Sequence, residues 1–578
     1  MIFRLLALVL LLSACATPTP PSPDVQSLMD QAWQLRLDYD PLLAERFGRP
    51  EAAAQLPDLS PETLAHKHQQ ELALLEQAKQ IEASSLNSQE QADLAMLRYQ
   101  LQNRVDRYRF AAYTMPLDAE AGFYAYLPGF ARTARLDSDA KTQAYLQRLA
   151  AVPRYFDQQI AWMRQGMASG HTLPRVVLSG TADSIAAYIT EPEQSPFYQP
   201  LAALDDSEAQ QQGLALIRDG ILPSYQAFHR FFVEEYYPAA RTSIAAVELP
   251  DGEAFYANRV RHFTTLSMSV DEVHALGLQE VARIRAEMEA VIQQVEFDGS
   301  FAEFLHFLRT DPQFYAKTPR ELLQYASFLA KQADASLPQF FATLPRTPYG
   351  IKPVPAAIAP KYTTGRYASA AADDQPGYYW VNTYALDKRP LYEMEALTLH
   401  EAVPGHHLQI ALSQEQAMHP LRRFSYISAF GEGWGLYAEK LGLEAGFYQD
   451  PYSNFGRLTY EMWRACRLVV DTGMHAKGWS REQAVAFLAD NTALSLHNVG
   501  TEIDRYIGWP GQALSYKIGE LTLWRLRHQA EETLGDDFDI RHFHDALLTN
   551  GSLPLTELEQ QMGQWLEQQP RVETGANQ

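Results

Sequence analysis

From about residue 25 to 345 the apolar residues recur at intervals of three and four. The stretches LAHKHQQELALLEQAKQIEA and EQADLAMLRYQLQNRVDRYRF place Leu, Ala and aromatics on one side of each turn and Gln, Glu and Arg on the other. That spacing predicts amphipathic helices, each burying one face, so this half reads as a helical assembly. Helix starts are also legible. Ser269 to Glu272 and Thr318 to Glu321 fit the S/T-x-x-E capping box, the second with Pro319 at the first helical position.

Between about 346 and 390 the texture changes. Pro, Gly, Tyr and Thr dominate, and GYYWVNTY has the aromatic and β-branched composition of a strand. Helical patterns return after 391 and run to about 570. The expectation is a mostly α protein with one small sheet. A helical subdomain covers 27–345, a second subdomain with the sheet and the HE motif covers 346–570, and a disordered tail covers 571–578.

The opening residues, MIFRLLALVLLLSAC, hold an apolar run from Leu5 to Leu12 that is too short to span a bilayer and reads as the core of a signal peptide over 1–14. LSAC resembles the lipobox of bacterial lipoproteins, which implies cleavage before Cys15 and lipidation of that residue. Residues 15–26, with ATPTPPSPD, suit a flexible tether. The expected location is the bacterial cell envelope, lipid-anchored at the outer membrane and facing the periplasm. Cys466, the other of the two cysteines, then has no disulfide partner and reads as a buried core thiol. Lys and Arg number 48 against 70 Asp and Glu, a net charge of −22 that argues against nucleic acid as a partner.

Residues 399–410 read LHEAVPGHHLQI. Catalytic zinc takes three protein ligands and leaves a fourth position open, with Zn–N bonds of about 2.0–2.1 Å. On a helix, His406 would point about 120° away from His400, and His407 would lie about 10 Å along the axis. Neither can share an ion with His400 on an unbroken helix. Pro404 breaks it, because its ring clashes with the carbonyl four residues back, which is that of His400, and Gly405 lets the chain turn. A two-residue excursion would bring His406 back beside His400; His407 needs a longer one and ranks second. For the third ligand, SAFGEGWGLYAEKL offers Glu432 ahead of Glu439, which lies two turns further on and suits a supporting role. The expected site is one Zn2+ ion on His400, His406 and Glu432, with Glu401 as general base. The competing reading is a polar turn with ordinary core histidines.

HEAVPGHHLQ, GEGWGLYAEKL, DTGMHAKGW and RYIGWPGQALSYKIGE, together with the lipobox, resemble the bacterial lipoproteins of the domain-of-unknown-function 885 family. That family is similar, more distantly, to the mostly helical zinc peptidases that include angiotensin-converting enzyme, oligopeptidases and Taq-type carboxypeptidases. The resemblance implies a zincin-like fold with the small sheet beside a deep cleft, and a metallopeptidase acting on short peptides, with carboxypeptidase-like action as one form of it. In the distant relatives a late-helix tyrosine stabilises the oxyanion, which points to Tyr506, with Tyr516 a packed or substrate-facing aromatic. His475 is a second donor candidate, or else a helix C-terminal cap. Substrate contacts are expected from Tyr379, on a strand able to pair with a peptide or to pack in the core, and recognition of a free carboxylate would need a cation, with Arg366, Arg505 and Lys517 as the candidates. The alternatives are a noncatalytic envelope lipoprotein that uses the cleft for binding and a metal-dependent amidase of cell-wall peptides.

Overall fold

The computed structural model describes residues 24–119, 121–356, 358–370 and 375–569. The signal peptide, Cys15, most of the tether and the tail expected from the sequence lie outside the described residues. The helices that build the site are, in chain order, α1 (Val25–Tyr39), α2 (Pro61–Lys79), α3 (Ser88–Arg109), α4 (Gly252–Thr264), α5 (Val270–Gln294) and α6 (Pro319–Phe340). After a sheet come α7 (Met394–Glu401), α8 (His406–Glu415), α9 (Ser428–Leu441), α10 (Pro451–Ala476), α11 (Leu496–Gly508) and α12 (Ser515–Leu534). Their starts follow capping chemistry: Asn87 with Glu90 and Ser269 with Glu272 form reciprocal boxes. At α6 only half of the expected box forms. Thr318 accepts the Glu321 N–H, but the Glu321 carboxylate turns to the Lys317 N–H instead.

One continuous cluster of buried apolar side chains reaches from Val25 to Leu566, so the stretches before and after residue 346 share a core. At its centre α5 packs along α10, and α9 along α12. Every residue of α10 from Phe455 to His475 is buried, including Arg457, Glu461, Arg464, Arg467 and Asp471. A helix buried on all sides leaves its charges no water to face, so each must find partners inside the protein. Cys466 lies on this helix as a buried free thiol. Among the described residues no helix is long and apolar enough to cross a membrane.

The sheet is small and open, with strands β1 (Tyr349–Pro353), β2 (Gly365–Ala368) and β3 (Gly377–Val381) in the order β1-β3-β2. β1 runs parallel to β3, and β2 antiparallel, with Tyr367 opposite Tyr379. This corrects the expectation for Tyr379. β3 is the central strand with both edges paired, so it offers no free edge to a peptide, and the Tyr379 side chain is fully buried in the core. The strand that reaches the site is the edge strand β2.

Candidate metal centre

The helix that carries His400 ends where the sequence said it must, but more abruptly than a two-residue bulge. α7 stops at Glu401, four residues form an interruption, and α8 begins afresh at His406. The Val403–Pro404 peptide is cis. A Cβ on Gly405 would fall 1.9 Å from the His400 carbonyl oxygen, so only glycine lets the chain double back this closely. Trp434 of α9 holds the interruption from the other side, its indole N–H donating to the Pro404 carbonyl at 2.8 Å.

The turn delivers His406, not His407, to His400. Their rings stand edge to face with centroids 4.6 Å apart. Glu432 Oε2 lies 3.5 Å from His400 Nε2 and 3.4 Å from His406 Nε2, and ligand atoms of all three residues fall within 4.8 Å of one another. Tetrahedral ligands about 2.1 Å from a metal stand about 3.4 Å apart, which both His–Glu pairs match. Two histidines and a carboxylate are also a donor set used by catalytic zinc, so the residues fit a divalent cation. His407 turns instead to the sheet. Its Nδ1 is 2.9 Å from the Tyr367 hydroxyl, its ring packs on Tyr349, and burial, foremost, brings its pKa down to about 4, so it is neutral.

Behind the cluster, Glu439 places Oε1 2.7 Å from His400 Nδ1. Glu432 and Glu439, seven residues apart on one face of α9, thus address the two nitrogens of one imidazole. A carboxylate behind a ligand histidine fixes its tautomer and raises its basicity. Burial alone would lower the His400 pKa, but hydrogen bonds to Glu432 and Glu439 overcome it and push the value up to about 9. Glu432, buried beside both histidines, is held well below the usual carboxylate range. His400 packs so closely on α9 that a Cβ at Gly435 would meet its ring at 2.4 Å. Glu401, next to His400, is 8% exposed, and its Oε2 accepts the Tyr367 backbone N–H from β2 at 2.7 Å.

His400, His406, Glu401 and Glu432 line a cavity of about 760 Å³, together with Arg366 and Tyr367 of β2 and residues from α1, α3 and α10 to α12. In a chain of net charge −22, several of the lining side chains are cationic: Arg36, Lys67, Arg104, Arg464, Arg467 and Arg505. Of the candidates from sequence, Arg505, Tyr516 and Arg366 line this cavity. Lys517 does not. Its ammonium is fully buried elsewhere among Glu280, Glu461 and Glu520.

Tyr506 and His475 are corrected by the structure. The Tyr506 hydroxyl donates to Glu502 at 2.7 Å and accepts from Trp463 Nε1 at 2.8 Å and Arg467 Nε at 2.7 Å, which exhausts its one proton and two lone pairs. His475 is fully buried, with Ala246 N–H donating to Nδ1 and Nε2 bonded to the Tyr506 carbonyl. Both hold α10 and α11 together and neither lines the cavity. The tyrosine that does face the cluster is Tyr426, before α9, which the sequence reading passed over. It is 46% exposed because its ring lies on the open cavity wall, yet its hydroxyl is bonded to Glu432, and enclosure of that end, foremost, lifts its pKa well above 10.

A family profile described as "Bacterial protein of unknown function (DUF885)" matches residues 41–562. No curated protein matches the chain. Among solved structures, the chain is similar to "the putative lipoprotein from Colwellia psychrerythraea", at 28% identity and a TM-score of 0.86 over 94% of this chain and 99% of that one. It also shares its fold with "a putative lipoprotein of unknown function from Shewanella oneidensis", at 18% identity and a TM-score of 0.73 over 93% and 98% of the two chains.

Proposed function

Since the chain belongs to DUF885, a family of bacterial proteins of unknown function, we propose from its site that it is a lipid-anchored, metal-dependent hydrolase of peptide bonds in short peptides, zincin-like in fold and facing the periplasm. The observation that carries the reading is the placement of Glu401 beside the ligand His400, with both lining one cavity as His406 and Glu432 do. A divalent cation on His400, His406 and Glu432, zinc by donor type, would supply Lewis-acid chemistry, acidifying water and polarising a carbonyl.

The remaining roles belong to the chain itself. The Tyr367 N–H holds one oxygen of Glu401 and leaves the other to take a proton from the attacking water and return it to the leaving amine. The Tyr426 hydroxyl gives its one proton to Glu432 and so orients that carboxylate at the cavity wall. Arg505 and Tyr516 contact the substrate. The test is cleavage of a short-peptide library by zinc-loaded wild type and by Glu401→Gln, read by mass spectrometry. Glu401→Gln is expected to be slower by about 10²-fold or more. Equal cleavage by the two proteins would remove Glu401 from its role.

The descriptions of the similar structures favour a second reading. They name lipoproteins and no activity, which suits a noncatalytic envelope lipoprotein that uses the same cavity to bind its ligand. Capture of peptides with no cleavage by metal-loaded wild type selects it.

A further inference from the structure

Two arginines of α10 meet the cavity with donors left over. Arg464 and Arg467 are three residues apart, on one side of the helix, and are 4% and 2% exposed. Arg464 gives Nη1 to the Tyr460 carbonyl at 3.3 Å and sets Nη2 3.5 Å from Glu439 Oε1, while its buried Nε has no partner. Arg467 gives Nε to the Tyr506 hydroxyl and Nη2 to Glu502, while its buried Nη1 has no partner. Aromatic rings cover the guanidinium faces. Trp463 lies 4.3 Å from Arg464 and 4.4 Å from Arg467, and Tyr516 lies 4.1 Å from Arg467. Only N–H edges remain to bind anything.

Buried donors without acceptors are costly, and two of them sit on neighbouring arginines that line one cavity. An arginine N–H matches a carboxylate oxygen, each of the two side chains has one nitrogen without a partner, and stacking on aromatic rings holds the guanidinium flat and in place. The acids facing this pair are Glu502, shared with Arg505, Glu439, shared with His400, and Glu393, which feels Arg464 and which burial, foremost, pushes up to about 8. Glu439 Oε1 contacts both His400 Nδ1, at 2.7 Å, and Arg464 Nη2, at 3.5 Å, so the guanidinium lies within about 6 Å of the ligand imidazole. An extended residue spans about 3.3–3.6 Å. That path meets His400 at Nδ1, while Nε2 faces the metal side, so a carboxylate held by Arg464 is within about three extended residues of a group at the metal centre.

We propose that Arg464 and Arg467 form a carboxylate subsite, and that the cavity takes short peptides carrying a carboxylate within about three residues of the group at the metal centre. This deepens the proposed function, resting on the cavity as its substrate site. The test is calorimetric binding to Glu401→Gln protein, alone and combined with Arg464→Gln or Arg467→Lys. The probes are N-acetyl-Ala-Ala, its C-terminal amide and N-acetyl-Ala-Glu amide, which carry the carboxylate at the chain end, nowhere and on a side chain.

At least one carboxylate probe is expected to bind about tenfold or more tightly than the uncharged amide, and the probe that does so shows which source is used. Each arginine substitution is expected to abolish that preference in protein whose circular dichroism is unchanged. Arg467→Lys keeps a charge beside Glu502 and loses the planar guanidinium with its bond to the Tyr506 hydroxyl. Equal binding of the three probes overturns the subsite, as does a preference that survives in both folded variants. Hydrolysis is read separately on wild type, so a carboxylate preference without cleavage removes the hydrolase reading alone, and cleavage without preference removes the subsite alone.

Discussion

The indole N–H of Trp434 donates to the Pro404 carbonyl at 2.8 Å, tying the interruption between the two histidines to the helix that carries Glu432. Trp434→Phe keeps most of the buried ring and strands that carbonyl, so unfolding free energy is expected to fall by about 1–3 kcal/mol in denaturant titrations. Metal affinity should fall with it, because the same bond sets the register of His406 against Glu432. Unchanged stability and affinity would show that the interruption holds itself.

The histidine pair separates cleanly. His406→Ala is expected to lose bound metal and keep its fold, whereas His407→Ala keeps the metal and loses stability, since His407 bonds Tyr367 and packs on Tyr349. Metal analysis with thermal denaturation of the two variants checks this. Metal loss in His407→Ala alone would reverse the assignment.

Gly435→Ala puts a methyl group 2.4 Å from the His400 ring, too close for either to stay. The ring must swing away from Glu432 and Glu439, so zinc affinity is expected to drop about 10–100-fold, comparable to losing an outer-sphere partner of a metal ligand. A competitive chelator titration measures it. Affinity equal to wild type would mean that α9 yields instead.

Acid sensitivity is expected from His475. Burial, foremost, lowers its folded pKa to about 4, against about 6.5 in the unfolded chain. Between those values the unfolded state binds a proton that the folded state does not. The His475 contribution is therefore complete above pH 6.5 and is lost as pH falls towards 4. The buried carboxyls of Asp471 and Glu393, raised to about 7 and about 8, act in the opposite sense, so wild type alone does not isolate the effect. His475→Gln is expected to make the slope of stability against pH between 4 and 6.5 more negative by up to about 1.4 kcal/mol per pH unit, one proton's worth. Parallel slopes would contradict this.

The ligand cluster was legible in the sequence because helix geometry is local. Pro404 lies four residues after His400, so a break and a return of His406 follow from chain stereochemistry, and Glu432 and Glu439, seven apart on one helix, reach the two nitrogens of His400. The small sheet was legible from composition, but its strand order was not, and that order makes Tyr379 a core residue. Tyr506 and His475 stood in motifs of the right type, yet whether a buried tyrosine or histidine faces a cavity or another helix depends on how α10 and α11 pack. Arg464 and Arg467, in YEMWRACRLVVD, stand in no motif that marks a site. The signal available was charge on a helix whose remaining positions are apolar and aromatic nearly all round, which points to burial with internal partners.

The most direct measurement is the metal content of wild-type protein, freed of residues 1 to 15 and exposed to zinc, beside His400→Ala, His406→Ala and Glu432→Ala. The account predicts one tightly held divalent ion per chain in wild type and strong loss in each of the three variants. Wild type that retains no metal after gel filtration, or three folded variants that retain it as wild type does, would contradict a metal centre at these residues.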